Sequence, residues 1–521
     1  MGYVQSNKRI AVNTLLLYIR MSIMMVINLY VTRALLKNFG AVNFGIYSLL
    51  NSIVVLMTFL NGSLTGASQR FIAYGIGEKD YKKANDFFSM SIVLFFIFAL
   101  IIFILCQTLG LWVVKYKLVY PAELGKIIVV VYEIIVVTCL VNVLILPFNA
   151  LIIASEKLNF FAILGCVEGV SKIVLVVLMS FTSSNKIIFY ATGLLIISLL
   201  QFLLYYLYIK QTMTEFSVKI TSINVCILKE LSSFASWFIL VSAAYILMSH
   251  GVNFLLNIFY GPNENASYAI AMQLKTAIMI FLTNLRLAID PQIIKVYANN
   301  QHEQFEKLFY TTAKITFFLI LLITFPIILN LESILTIWLS DVPSSTLLFC
   351  KLILIYVLIQ SIDNSFGVYF KASGHIKENT LASGISYIAV CPTTYLLYKA
   401  GLPPESVFYV EIVAAICVGF IVKVLLFKKY AGFSIKKSLF QFFLPCTAVF
   451  VIGIILLVPL SLYVIKLSPL LQILSTASIS CITLLILAFA LGFNKEDQQY
   501  IMFHLNKMRV FTQKFFCSSS D

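Results

Sequence analysis

Apolar runs of about twenty residues follow one another along nearly the whole chain. Each is long enough for a helix to cross a bilayer. About fourteen such runs stand at 10–35, 43–66, 86–110, 127–153, 160–181, 186–209, 231–258, 265–288, 309–330, 346–370, 379–399, 405–427, 439–465 and 469–493. The connections between them are short and polar, none beyond about thirty residues, which leaves no room for a folded soluble domain. The pattern predicts an all-α polytopic membrane protein.

The order of parts repeats. Residues 39–88 predict a span, a basic polar loop and the start of the next span. Residues 259–310 line up with them at an offset of about 222, pairing Asn43 with Asn265, Phe59 with Phe281, Leu60 with Leu282 and Phe87 with Phe309. A second echo pairs Phe148, Ala154 and Ser155 with Phe366, Ala372 and Ser373. An internal repeat of this kind predicts two pseudo-symmetric six-helix lobes, as in transporters with repeated halves. The expected organisation is a lobe at 1–210, a cytoplasmic linker at 211–230, a lobe at 231–430, two additional helices at 431–493 and a basic cytoplasmic tail at 494–521.

Composition agrees. Of the 521 residues 61% are apolar and 11% charged, with a mean hydropathy of +0.97. A soluble fold could not bury such a fraction. No small-residue cleavage site follows the first apolar run, so no signal peptide is expected. The net charge of +15 sits in short loops and reads as topology rather than nucleic-acid binding. With both termini cytoplasmic, the inside segments hold about 22 Lys and Arg and the outside loops about 7. The ten cysteines include no CxxC pair and lie mostly in apolar runs, which argues against a disulfide framework or a zinc site.

Ionisable groups inside the spans carry the candidate chemistry, because each costs roughly 2.5–3.5 kcal/mol to insert. Lys314, Lys351, Arg286 and Lys423 sit near span ends and are expected to snorkel to the headgroups. Arg20, Lys172 and Lys275 sit near mid-depth. Arg20 shares a helix face with Asn13 and Asn28, within an arc of roughly 80°. Polar faces recur elsewhere: Ser48, Asn51, Thr58 and Thr65; His250, Asn253 and Asn257; Tyr268, Lys275, Thr283 and Arg286; Tyr356, Gln360 and Asp363. Together they predict a hydrated central cavity with an excess of cations. Arg20, Lys275, Lys172, Arg286, Asn13 and Asn28 are the expected substrate contacts. Glu168, Asp363, His250 and Asn253 are the expected ion-coupling or polar cavity groups. The bland alternatives are that Glu168 and Lys172, four apart, neutralise each other, that the amide stripes bond helix to helix, and that Arg20 bridges to Asp363 or another carboxylate.

No Walker A sequence, GxSxG, HExxH or metal-ligand cluster occurs, and no cofactor is expected. The chain is therefore read as a transporter rather than an enzyme.

Several stretches also resemble a known family. NTLLLYIRMSIMMVINLYVTRALLKNFGAVNFGIYSLLNSIVVLMTFLNGSLTGASQRF, PFNALIIASEKLNFFA, GVNFLLNIFYGP, DPQIIKVYA and GLPPESVF are similar to bacterial polysaccharide-biosynthesis membrane proteins, the O-antigen and oligosaccharide-lipid flippases. The DPQ at Asp290 stands where relatives are expected to carry NPQ. The resemblance implies the fold shared with multidrug-and-toxin exporters and lipid II flippases: two six-helix lobes around a central cavity, working by alternating access. It implies an undecaprenyl-diphosphate-linked oligosaccharide as substrate, moved from the inner to the outer leaflet of the cytoplasmic membrane. Cavity cations, here Arg20, Lys172 and Lys275, would hold its diphosphate or acidic sugars. Implied partners are membrane lipids and the polysaccharide polymerase and chain-length proteins, with no nucleic acid. Two alternatives stay open: an ion-coupled multidrug exporter of the same fold, and a membrane polysaccharide polymerase or ligase.

Overall fold

A computed structural model describes residues 2–58, 61–182, 185–217, 227–229, 231, 242–299, 301–339, 341–431, 434–464, 468–499 and 502. Linker residues 218–226 and 230, residues 232–241 of the span expected at 231–258 and the tail beyond 502 lie outside the described residues. So does the side chain of Asn13; along the first helix, side chains are described from Arg20 onward.

All described elements are helices or turns. Thirteen stretches among the described residues are long and apolar enough to cross a membrane, and the chain is a multi-pass membrane protein. The first stretch, Arg20–Leu56, takes in most of the first expected span and the first part of the second, whose end at 61–66 belongs to the next helix. These parts form one run of helix, α1 (Gly2–Leu56), broken at Gly40 by φ 74° and ψ 167°. A side chain there would oppose that backbone, so glycine marks the turn between spans. The basic segment expected as a loop after residue 66 is helical instead. Helix α2 (Asn61–Gly77) runs through it, and the reversal comes at Glu78–Asp80. Hydropathy marks where a helix stops being apolar, not where its backbone bonds end. Asp80 then caps α3 (Tyr81–Leu105) by accepting from the Lys83 N–H at 2.9 Å.

Helix α3 shows how the sequence meets two solvents. Phe96, Leu100 and Ile104 form an exposed stripe four residues apart, while Phe88, Phe95 and Ile102 are buried. Both faces are apolar because lipid covers one and protein the other. The remaining long helices are α4 (Gly125–Ala154), α5 (Leu158–Ser180), α6 (Lys186–Thr212), α7 (Val252–Tyr260), α8 (Pro262–Ala298), α9 (His302–Leu329), α10 (Thr346–Ser373), α11 (Ile376–Lys399), α12 (Ser406–Ile416), α13 (Lys423–Ala431), α14 (Leu444–Val464) and α15 (Pro469–Leu487).

The chain packs into two compact units. The first comprises Met1–Leu274, Trp338–Phe349 and Ser383–Val410, so it draws on both halves of the sequence. Within it α1 lies along α5, and α4 packs against α2 and α6. The second comprises Lys275–Ile337, Cys350–Ala382 and Glu411–Asp521. There α14 and α15, the two helices outside the repeat, pack on α9. Phe427 of α13 anchors an aromatic cluster, with ring centroids 4.9 Å from Phe309, 4.8 Å from Tyr369 and 5.4 Å from Phe366.

Candidate functional site

In the first unit the candidate residues gather where α1 meets α5. Arg20 reaches across to α5 with its Cζ 4.0 Å from the centre of the Phe161 ring. Such a contact attracts a guanidinium electrostatically, more strongly where water is scarce. The approach is possible because residue 165 is glycine: a Cβ there would stand 2.0 Å from Arg20 Nε. That Nε is buried and has no hydrogen-bond partner. One turn along α5, Glu168 pairs with Lys172 at 2.6 Å, with both side chains about a quarter exposed. Glu168 lies within electrostatic reach of Arg20, but Arg20 has no ion pair among the described residues. Asn28 is half-buried further along α1, and its carbonyl accepts from Thr32 at 2.9 Å.

The polar stripe of α7 is organised differently. Asn253 donates to Ser52 Oγ at 2.9 Å, and Asn265 donates to Asn253 Oδ1 at 2.7 Å. Asn257 donates to Asn265 Oδ1 at 3.0 Å and accepts from the Val119 N–H at 2.9 Å. These amides are buried and bond one another, so Asn253 ties α7, α8 and α1 together. His250 sits half-buried in the π turn before α7 and makes no hydrogen bond among the described residues.

The second unit carries a chain of buried charges. Lys275 is 2% exposed, its Nζ has no hydrogen bond, and it stands 4.4 Å from the centre of the Tyr356 ring. Its electrostatic partner is Glu411 of the last span of the repeat, 1% exposed, with neither carboxylate oxygen hydrogen-bonded. Sequence reasoning passed over Glu411; the one signal was a lone carboxylate in the apolar run VFYVEIVAAICVGF. Further along, Asp363 pairs with Lys423 at 2.7 Å. Arg286 pairs with Asp290 at 2.9 Å and donates to the Asn364 and Ser365 carbonyls at 3.3 and 3.4 Å. Lys371 approaches the same Asp290 at 3.6 Å.

These pairs correct the snorkelling expectation. Lys314, Lys423 and Arg286 are buried and each holds a carboxylate: Asp497, Asp363 and Asp290. Lys351 alone of the four is exposed. They also reduce the expected excess of cations. Lys172 is neutralised within its own helix and Lys275 has Glu411 in reach. Of the three cations expected at mid-depth, Arg20 and Lys275 both lack an ion pair among the described residues; Glu168 lies in electrostatic reach of the first and Glu411 of the second.

No protein-family model and no curated protein matches the sequence. Solved structures do match the fold. A multidrug resistance MATE family transporter of the MOP superfamily, in its inward-facing conformation, superposes with a TM-score of 0.62 at 14% identity, over 81% of this chain and 95% of that one. An outward-facing conformation of such a transporter gives 0.61 at 15% identity, over 82% and 96%. A MOP superfamily transporter from Pyrococcus furiosus, described as having a binding pocket of reverse polarity that suggests a different function, gives 0.60 at 14% identity, over 81% and 96%. The chain thus has the two-lobed, all-helical fold of MATE transporters of the MOP superfamily.

Proposed function

We propose that this protein is a flippase that carries an undecaprenyl-diphosphate-linked oligosaccharide from the inner to the outer leaflet of the cytoplasmic membrane by alternating access. The observation that carries the reading is Arg20: a half-buried cation in the first unit, held on Phe161 and against Gly165, with no carboxylate in ion-pair contact among the described residues. Arg20 is half-buried with its Nε fully buried and unbonded, and a partly desolvated cation gains from a ligand that brings a counter-charge. A diphosphate does so, and the planar guanidinium can donate two parallel hydrogen bonds to its oxygens. A polar anionic head meets a prohibitive barrier in hydrocarbon, which polar side chains inside a transporter lower while the prenyl chain stays in lipid.

The fold also supports a second reading, an ion-coupled drug exporter, since neighbours of this fold are described as multidrug resistance transporters. A cationic drug needs a free acidic group. Here Glu168 and Asp363 hold lysines and Glu411 lies in electrostatic reach of Lys275, while Glu133 is bonded to Gln107 and is the acid a drug exporter would use; the flippase reading rests on Arg20. Both termini are assigned to the cytoplasm, and the polymerase and chain-length proteins acting on the flipped product are the expected partners. The test is complementation of a flippase-deleted bacterium: restored surface polysaccharide supports the reading, and failure by well-expressed protein across several polysaccharide backgrounds contradicts it.

A further inference from the structure

A cavity of about 240 Å³ lies inside the first unit. Its polar wall is formed by Asn51 of α1, Thr58 in the turn after it, Asn61 at the start of α2, and Thr138 and Asn142 of α4, with Tyr47 on one side. Among the described residues, no Asp, Glu, Lys, Arg or His lines it. This absorbs much of the α1 polar stripe, which the Arg20 site leaves unused.

The hydrogen bonding of the wall is incomplete. Asn51 is met within its own helix, by the Tyr47 carbonyl at 3.0 Å and by the Tyr47 hydroxyl. The Thr58 and Thr138 hydroxyls donate to Val55 and Ile134 carbonyls, each at 2.8 Å, and their oxygens keep acceptor capacity. Asn61 Oδ1 is buried with no partner. The exposed Asn142 amide bonds no described residue. A primary amide carries two donors and an acceptor; leaving the buried Asn61 Oδ1 unmet is costly, and the open Asn142 amide is free to bond a ligand. The missing partner must both donate and accept, and carry no charge for the wall to balance. Sugar hydroxyls meet both conditions, and a pyranose ring offers C–H faces to the apolar side of the cavity. Neither a diphosphate nor a cationic drug finds a counter-charge here.

We propose that this cavity is a subsite for one uncharged sugar residue of the translocated head group, separate from the Arg20 anion site. The proposal rests on the flippase reading. The test uses the full-length protein in lipid nanodiscs and two probes, undecaprenyl diphosphate alone and undecaprenyl diphosphate bearing one N-acetylhexosamine. Wild type should bind the sugar-bearing lipid about tenfold more tightly, the scale of one or two buried hydrogen bonds. Asn142→Ala should lower that preference to about threefold or less while leaving affinity for the sugar-free lipid unchanged. Asn142→Gln, which keeps an amide on an exposed position, should retain most of the preference. Arg20→Ala should weaken both lipids alike. No preference in wild type, a preference that survives Asn142→Ala, or equal weakening of both lipids by that variant overturns the subsite and leaves the flippase reading standing. If wild type binds neither lipid, the flippase reading falls and the subsite with it.

Discussion

Arg20 and residue 165 compete for one volume: the guanidinium lies where a side chain on Gly165 would begin, 2.0 Å from an added Cβ. Glycine here serves packing rather than backbone freedom. Gly165→Ala should push the arginine off Phe161 or spread α1 from α5, at about 1–3 kcal/mol, as overpacking does. Transport should fall in Gly165→Ala, and Gly165→Ala combined with Arg20→Ala should be no worse than Arg20→Ala alone. A double-mutant cycle on transport rate and membrane abundance checks this.

The Glu168–Lys172 pair makes a different forecast. Either Glu168→Gln or Lys172→Met alone leaves a charge without its partner. The loss should reach up to about 3 kcal/mol, below the 3–5 kcal/mol of a fully buried pair because a quarter of each side chain is exposed. Replacing both should restore abundance and most transport. If the double variant folds but transports no better than Lys172→Met, the lysine touches substrate.

At the base of the second unit, the Lys314 ammonium and the Thr311 hydroxyl both donate to Asp497, which also accepts from the Asn494 N–H at 3.1 Å. This fastens the chain leaving α15 to α9. Lys314→Met or Asp497→Asn should each cost about 3–5 kcal/mol, read as an early loss of helix on heating in detergent. Lys307→Met should cost less than about 1 kcal/mol, because its pair with Glu496 is exposed and screened. Equal effects would contradict the ranking.

The membrane orientation is testable on its own. Cysteines placed at Lys79 and Lys377 should resist an impermeant maleimide added outside, and cysteines at Asn185 and Ser344 should react. Labelling at 79 from outside would invert the assignment.

What could be read from the sequence follows how far each signal travels along it. The spans were legible because a bilayer imposes about twenty apolar residues on each. The Glu168–Lys172 pair is legible because both partners lie four apart on one helix; Arg286–Asp290 has the same spacing, but Arg286, near a span end, is expected from sequence to snorkel instead. Glu411 beside Lys275, Asp497 on Lys314 and Asp363 on Lys423 are not legible, since their partners come from helices far off in the chain. Lone lysines near span ends therefore looked like snorkelling groups. Asn253 was seen as polar and inward, but its closure with Asn257, Asn265 and Ser52 depends on the meeting of three helices. The Gly165 cleft under Arg20 left no trace at all, because a glycine in a helix does not say what fills its space.

In the proposed flippase, Arg20 receives the anion of the lipid-linked sugar. The direct measurement is transbilayer movement in proteoliposomes of a fluorescent undecaprenyl-diphosphate-linked oligosaccharide, run beside efflux of a cationic dye. The account predicts movement of the lipid-linked sugar and none of the dye. It predicts a fall of roughly tenfold or more in Arg20→Ala at equal protein content, the scale of one charge-assisted hydrogen bond, with partial rate in Arg20→Lys. Dye efflux without movement of the lipid, or an unchanged rate in Arg20→Ala, would contradict it.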